Sequence, residues 1–301
     1  MDDSEWLAGR FEEHRSHLRA VAYRMLGSAT EADDAVQDAW LRLNRAGTDG
    51  VENLGGWLTT IVARVCLNML RSRNNRREEP LDTHLPDPVV SPEGESQPED
   101  AALLSDSVGL GLLVVLDSLT PDERLVFVLH DMFELPFDTL AGIVGRTPNA
   151  TKQLASRARQ RIRGAEPPTS PDPVRQRQLV DAFFAAAREG EFDALVCLLH
   201  PEVLSRTDGG TERADASMLI RGAAAVAKQA TTGLRQWLGN RGAALRPVLV
   251  NGSAGVIVTL DGHPVIVMGF TVEAGRITRI DTIADPARVR RIAATVLPAD
   301  R

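Results

Sequence analysis

Apolar residues recur at helical spacing from Met1 to about Arg77. The clearest stretch is Thr30 to Leu43, where Ala32, Ala35, Val36, Ala39, Trp40 and Leu43 form one amphipathic stripe and Glu31, Asp34, Asp38 and Leu41 line another face. In the next helix Trp57, Ile61, Val65 and Met69 are core-spaced, and Arg64, Asn68, Arg71 and Asn75 make a polar row that grows more basic toward Arg77. A second helical module opens at Thr120-Pro121-Asp122-Glu123, which has a cap, a proline suited to the first helical position and a glutamate placed to close a capping box. Leu135 to Val144 predicts a short helix, Gly145 a tight turn, and Thr147 to Arg163 a longer helix. On that last helix Ala150, Leu154, Ala158 and Ile162 should pack, while Asn149, Lys152, Gln153, Ser156, Arg157 and Gln160 point elsewhere.

The pattern then changes. Arg175 to Leu199 still reads as helical, but Val248–Val250, Val256–Leu260, Val265–Val272 and Ile277–Ile283 follow as strands, with turns at Asn251-Gly252, Asp261-Gly262 and Ala274-Gly275. Helices first and an antiparallel meander last predict an α+β domain.

Composition sharpens the boundaries. Glu78 to Glu123 contains no Lys or Arg and is rich in Pro and acid, as expected of an extended linker that is mobile unless something holds it. A second Pro-rich joint, Glu166 to Pro173, separates the helical modules from the α+β domain. The expected division is therefore 1–78, an acidic linker over 79–111, a second helical module over 112–165, and an α+β domain over 174–290. Cys66 and Cys197 have no metal-ligand spacing around them, so neither a disulfide framework nor a metal site is expected. No apolar run approaches the roughly 20 residues needed to cross a bilayer. With an acidic N-terminal stretch, that predicts a soluble cytoplasmic protein without membrane contact.

Charge locates the chemistry. The chain carries formal net charge -7, yet no acidic residue interrupts Gly145 to Gly164. Local basicity within an acidic chain marks a focused polyanion contact, and helix, glycine turn and basic helix together form a helix-turn-helix whose second helix enters the major groove. The acidic face with its apolar Leu41 reads either as an ordinary solvated surface or as a protein docking surface. Trp6, Trp40 and Trp57 are read as core residues. In the last domain Asp208, beside two glycines, and Asp281 are the carboxylates a pocket could use for acid/base work, with His200, Trp237 and His263 as candidate lining. The competing reading makes them turn and strand residues, and no catalytic residue or cofactor is expected.

The order of the pieces resembles bacterial RNA polymerase sigma factors of the extracytoplasmic-function type. Phe11 to Gly27, Asp34-Ala-Val-Gln-Asp38, Trp57 to Arg64 and Leu119 to Arg163 match that family's regions two and four in sequence order, over roughly the first half of the chain. The Gln153 to Arg159 segment and His84-Leu-Pro-Asp-Pro-Val-Val90 are similar to the subgroup with a C-terminal SnoaL-like, NTF2-like extension, although Leu154 stands where most members have arginine.

The resemblance implies a multidomain chain of two all-α sigma modules, a region 2 helical bundle and a region 4 helix-turn-helix, followed by an NTF2-like cone. It implies that Asp34, Gln37, Asp38 and Leu41 bind the β′ clamp helices of core RNA polymerase, with the β flap as a further partner. Arg64, Asn68, Arg71 and Arg73 would lie at the promoter's melted minus-ten element. Asn149, Lys152, Gln153, Ser156 and Arg157 would read the minus-thirty-five element. Asp208, Trp237 and Asp281 would line a pocket for an unidentified small molecule, and the C-terminal domain would tune initiation. Two other classes remain open from the residues alone: a ligand-sensing helix-turn-helix regulator that never engages polymerase, and an NTF2-like isomerase or cyclase fused to helices.

Overall fold

The computed structural model describes residues 3–46, 53–76, 84–93, 110–162, 172–234 and 242–297, which fall into two compact units. In the first unit, α1 (Asp3–Leu26), α2 (Ala29–Ala46) and α3 (Leu54–Arg76) pack as a three-helix bundle. Leu18, Val21 and Met25 of α1 meet Ala32, Ala35, Ala39 and Leu43 of α2 in a fully enclosed core, the small alanines letting the two helices approach closely. Gly27, at φ 70, turns the chain between α1 and α2, and its N–H donates to the Tyr23 carbonyl at 2.8 Å.

On α3 the buried stripe differs from the expected one. Leu58, Val62, Val65, Cys66, Leu67 and Leu70 are buried, while Trp57, Ile61 and Met69 are only half-buried at its margin. The reason is that α3 touches α1, α2 and α5 (Pro121–Phe127), so it needs a wider apolar sector than one seam supplies. Trp40 is half-buried too, its ring 5.1 Å from that of Phe11.

The rest of the unit is α4 (Leu110–Asp117), α5, a wide helical turn at Val128–Met132, α6 (Phe137–Val144) and α7 (Pro148–Ile162). The expected capping box is present: the Glu123 N–H donates to Thr120 Oγ1 at 3.4 Å, and the Thr120 N–H donates to Glu123 Oε2 at 3.1 Å. Gly145, at φ 75, supplies the left-handed residue that ends α6 and aims α7.

Two arginines, Arg24 and Arg124, are buried without any signal in the local pattern. Arg124 donates to the Arg24 carbonyl at the end of α1, at 3.3 Å, and to Asp117 at 2.7 Å. Arg24 is 1% exposed and lies over the Phe133 ring at 5.0 Å. These contacts fasten the second helical set to the first.

In the second unit, α8 (Pro173–Glu189) and α9 (Phe192–Leu198) are separated by Gly190 at φ 79. Then come β2 (Leu199–Asp208), β3 (Met218–Arg221), α10 (Ala223–Gln229), β4 (Ala243–Val250), β5 (Ser253–Leu260), β6 (His263–Glu273), β7 (Arg276–Ile283) and α11 (Pro286–Ala293). Strands β4 to β7 are the expected meander, joined by turns whose paired residues, Asn251-Gly252, Asp261-Gly262 and Ala274-Gly275, all have positive φ.

The meander is extended on both sides, and one parallel pairing makes the sheet mixed. Strand β2, which the sequence pattern did not reveal, pairs parallel with β7. At the other edge lies β1 (Val90–Pro92), a piece of the acidic linker, so the order is β1-β4-β5-β6-β7-β2-β3. One sheet face, carrying Ala254, Val256, Met268, Phe270 and Ile280, packs against Phe183, Phe184 and Ala187 of α8 to make the core of an NTF2-like cone.

Candidate polymerase and promoter interfaces

The residues expected on the docking face of α2 do share one side. Asp34, Gln37 and Leu41 are exposed, Leu41 at 44%, and Asp38 is half-buried and paired with Arg42 at 3.0 Å. Leu41 stands among carboxylates on that side, one of three large apolar side chains exposed among the described residues, with Val174 and Phe192. Beside this face, between α1 and α2, lies a groove of about 270 Å³ lined by Phe11, Val36, Gln37 and Trp40.

Along α3, Arg64, Asn68 and Arg71 are exposed in a row. Arg71 is engaged: it donates to Asp122 Oδ1 of α5 at 2.7 Å, and the same carboxylate receives Arg146 from the turn before α7 at 3.0 Å. Arg73 leaves the row. It donates to the Leu26 carbonyl at 3.2 Å and pairs with Glu31, so it ties α3 to α1 and α2. Asn75 lies in the helical stretch of α3, at its C-terminal end.

Helix α7 presents Asn149, Lys152, Gln153, Ser156, Arg157 and Gln160 to solvent on one side. The packed side is Thr151, Leu154, Ala155, Ala158 and Ile162, so Thr151 and Ala155 take the place expected for Ala150, which is half-buried. Two further arginines are held from below: Arg159 by Asp131 at 2.7 Å and Arg161 by Glu123 at 2.6 Å. Orienting those two leaves Lys152 and Arg157 as the exposed cations on the amide-rich face. On α1, His17 is held below its ordinary pKa, first by burial and then by His14 and Arg24.

Two family models match: "Sigma-70 region 2" over residues 10–76 and "Sigma-70, region 4" over residues 110–162. The chain is 35% identical over 286 residues to the ECF RNA polymerase sigma factor SigJ of Mycobacterium tuberculosis (strain ATCC 25618 / H37Rv), covering 92% of this chain and 91% of that protein. The chain belongs to the ECF RNA polymerase sigma factors. A probable ECF sigma factor of the same strain, SigI, is 33% identical over 290 residues, covering 95% of this chain and 96% of the relative. The crystal structure of the M. tuberculosis SigJ superposes with TM-score 0.74 at 33% identity, covering 93% of this chain and 97% of that one. This sigma factor therefore carries its region 2 and region 4 in the first unit and a C-terminal SnoaL-like extension in the second.

The candidate pocket residues of the extension are placed otherwise than expected. By strand register Asp281 lies beside Gly269 and Arg206, and Asp208 beside Ile283, on the sheet face opposite the α8 core. A groove of about 610 Å³ in the second unit, between α8 and the β6–β7 turn, is lined by residues that include Arg175, Gln176, Leu179, Val272 and Gly275 and by neither carboxylate. His200 and His263 are exposed, and Trp237 lies outside the described residues. Asp281 is buried, and burial pushes its pKa up to about 6, with Arg279 and Arg206 pulling the other way.

Asp208 has a different occupation, which sequence reasoning missed. Its Oδ2 accepts the Leu85 N–H at 2.8 Å and Arg288 Nη1 at 2.5 Å, and His84 Nδ1 lies 3.3 Å away. Burial opposes ionisation of Asp208, but His84, the Leu85 and Gly210 N–H groups and the Arg288 charge outweigh it and hold the carboxyl well below the usual range. Arg288 also donates to Asp87 Oδ1 at 2.6 Å and to the Leu85 carbonyl at 2.6 Å. Further along, the Val89 N–H donates to Asn251 Oδ1 at 2.7 Å, and Arg177 Nε donates to Glu93 at 2.5 Å. Residues 84–93 of the acidic linker are thus a strap, clasped at both ends and paired in the middle, with Leu85 and Val89 buried. The remainder of that linker, and the Pro-rich joint before α8, lie outside the described residues.

Proposed function

We propose that this sigma factor brings core RNA polymerase to its promoters through the faces described above and that its C-terminal domain controls access by holding the linker. In this reading Asp34, Gln37, Asp38 and Leu41 engage the β′ clamp helices, and region 4 also engages the β flap. Arg64, Asn68 and Arg71 meet the melted minus-ten element, with Arg73 bracing their helix. Asn149, Lys152, Gln153, Ser156 and Arg157 read the minus-thirty-five element. The protein performs no covalent chemistry and acts in the cytoplasm; strand opening draws on the binding of unpaired bases.

The observation that carries the control is the strap: Asp208, the one carboxylate of a Thr-Asp-Gly-Gly turn, is committed to Leu85 and Arg288. A linker between region 2 and region 4 that is docked on a third domain is unavailable for any other path. A chain with two such states is biased by whatever binds them unequally, including a small molecule in the second unit.

The test is promoter-specific transcription in vitro with core polymerase, comparing the full chain with a truncation after about Gly164. Equal output at equal concentration overturns the control role; no specific transcript with active polymerase overturns the whole reading. A polymerase pull-down lost on Asp38 and Leu41 substitution separates this function from that of a free-standing DNA-binding regulator. Replacing Lys152 or Arg157 should weaken recognition of one promoter element by roughly 1 to 3 kcal/mol.

A further inference from the structure

Phe137 opens α6 directly after Pro136, and it is half-buried rather than spent in the core. The Nζ of Lys152, an exposed residue of α7, lies over its ring at 5.8 Å from the centroid. The imidazole of His130 lies against the same ring at 3.9 Å between centroids, tilted by 35°. His130 is itself fixed: Nδ1 is 2.9 Å from the Leu135 carbonyl, which can only accept, so that nitrogen carries the proton. The backbone between them is folded tightly, with Glu134 at φ 56 and the Leu135 N–H donating to the Leu129 carbonyl at 2.8 Å. A bonded imidazole, an aromatic ring and an ammonium are therefore assembled in series next to the helix-turn-helix.

A lysine on an open helix face samples many rotamers and binds phosphate or base edges indiscriminately. An aromatic ring beneath the ammonium narrows that set before DNA arrives, and the ordering cost is then not charged to the complex. We propose that Phe137, backed by His130, is a positioning residue for promoter recognition: it aims Lys152, and through Lys152 sets discrimination at the minus-thirty-five element. Phe137 makes no contact with DNA in this role. The inference rests on Lys152 being a base-reading residue, so its test must separate the two ideas.

The experiment uses the full chain with core polymerase on a promoter library randomised at the minus-thirty-five hexamer, with discrimination read as the ratio of transcript from preferred to disfavoured hexamers. Phe137→Leu should lower that ratio three- to tenfold. Phe137→Tyr, which keeps a ring under the ammonium, should retain it. In a Lys152→Ala background Phe137→Leu should cause no further loss, because the residue it positions is gone. Thermal melting separates loss of fold from loss of aim, and if Phe137→Leu melts early the Tyr variant and the cycle built on Phe137→Met carry the decision. Equal losses from Phe137 substitution with and without Lys152 overturn the positioning role alone. Unchanged discrimination in Lys152→Ala overturns the base-reading role of Lys152 and the positioning role with it.

Discussion

Replacing Arg288 with alanine should undo the clasp that holds the linker strap on the C-terminal domain. Its guanidinium makes three hydrogen bonds at 2.5 to 2.6 Å, to Asp87, Asp208 and the Leu85 carbonyl, with side chains 14%, 14% and 5% exposed for Arg288, Asp87 and Asp208. Removing one partner of a buried ion pair costs about 3 to 5 kcal/mol. Here Asp208 keeps the Leu85 and Gly210 N–H donors, which lowers the figure to about 2 to 3 kcal/mol. At about 1.4 kcal/mol per decade, strap opening becomes thirty- to over a hundredfold more frequent.

Hydrogen exchange on peptides spanning residues 84–93 reads this directly, since the Leu85 and Val89 amides are donors in the docked state. Arg290→Ala, an exposed arginine of the same helix, is the control. Acceleration of less than threefold in Arg288→Ala would refute the assignment of Arg288 as the clasp. Because Asp208 titrates below the usual carboxylate range, its contribution is present above that range and is lost only as pH falls through the lowered value. Strap protection from this pair should therefore be flat between about pH 5 and 8.

Three other outcomes follow from the geometry. Asp281 has a folded pKa raised from 3.8 to about 6, so its penalty is absent below the lower value, grows between the two and is complete above the higher. Asp281→Asn should accordingly be stabilised by about 3 kcal/mol at pH 8 and by nothing at pH 3.5, and an equal urea midpoint shift at both pH values would contradict the assignment. Thr120→Ala removes the cap of α5 and should lower stability by about 1 kcal/mol in the same measurement; a neutral result would mean Glu123 caps the helix alone. Asp122→Asn frees Arg71 and Arg146, which are 45% and 50% exposed, so DNA binding by the full chain should tighten by no more than about fivefold and the gain should vanish in 0.5 M salt. A hundredfold change would show that Asp122 does far more than screen two exposed arginines.

The elements legible in advance were those whose determinants are local. Helix α7 could be read because its apolar repeat, its capping threonine and its uninterrupted basic face all lie within a single segment. The hairpin turns could be read because Asn-Gly and Asp-Gly state their own backbone preference. The apolar stripe of α2 and the acidic face opposite it were visible for the same reason. What escaped was whatever depends on a distant partner. Val90-Ser91-Pro92 is too short, and too close to Pro88 and Pro92, to announce a strand, and it becomes one only because β4 offers an edge. Asp208 was noticed as a carboxylate beside glycines, but its use depends on Arg288, eighty residues away along the chain. The burial of Arg24 and Arg124 depends on partners outside their own segments, and the rotation of the α3 stripe reflects a third neighbour that periodicity does not report.

Strand β1 ends in Pro92, which has no N–H to offer, and it occupies what would otherwise be the bare margin of β4. A sheet margin with free N–H and C=O groups is a template for any extended chain, another copy of this protein included. By pairing with β4 the strap covers that template. A deletion across residues 84–93 would free the linker and bare the β4 edge together, so a loss of transcription in such a variant would have two candidate origins. Only a size measurement at the assay concentration tells a misregulated monomer from an aggregate.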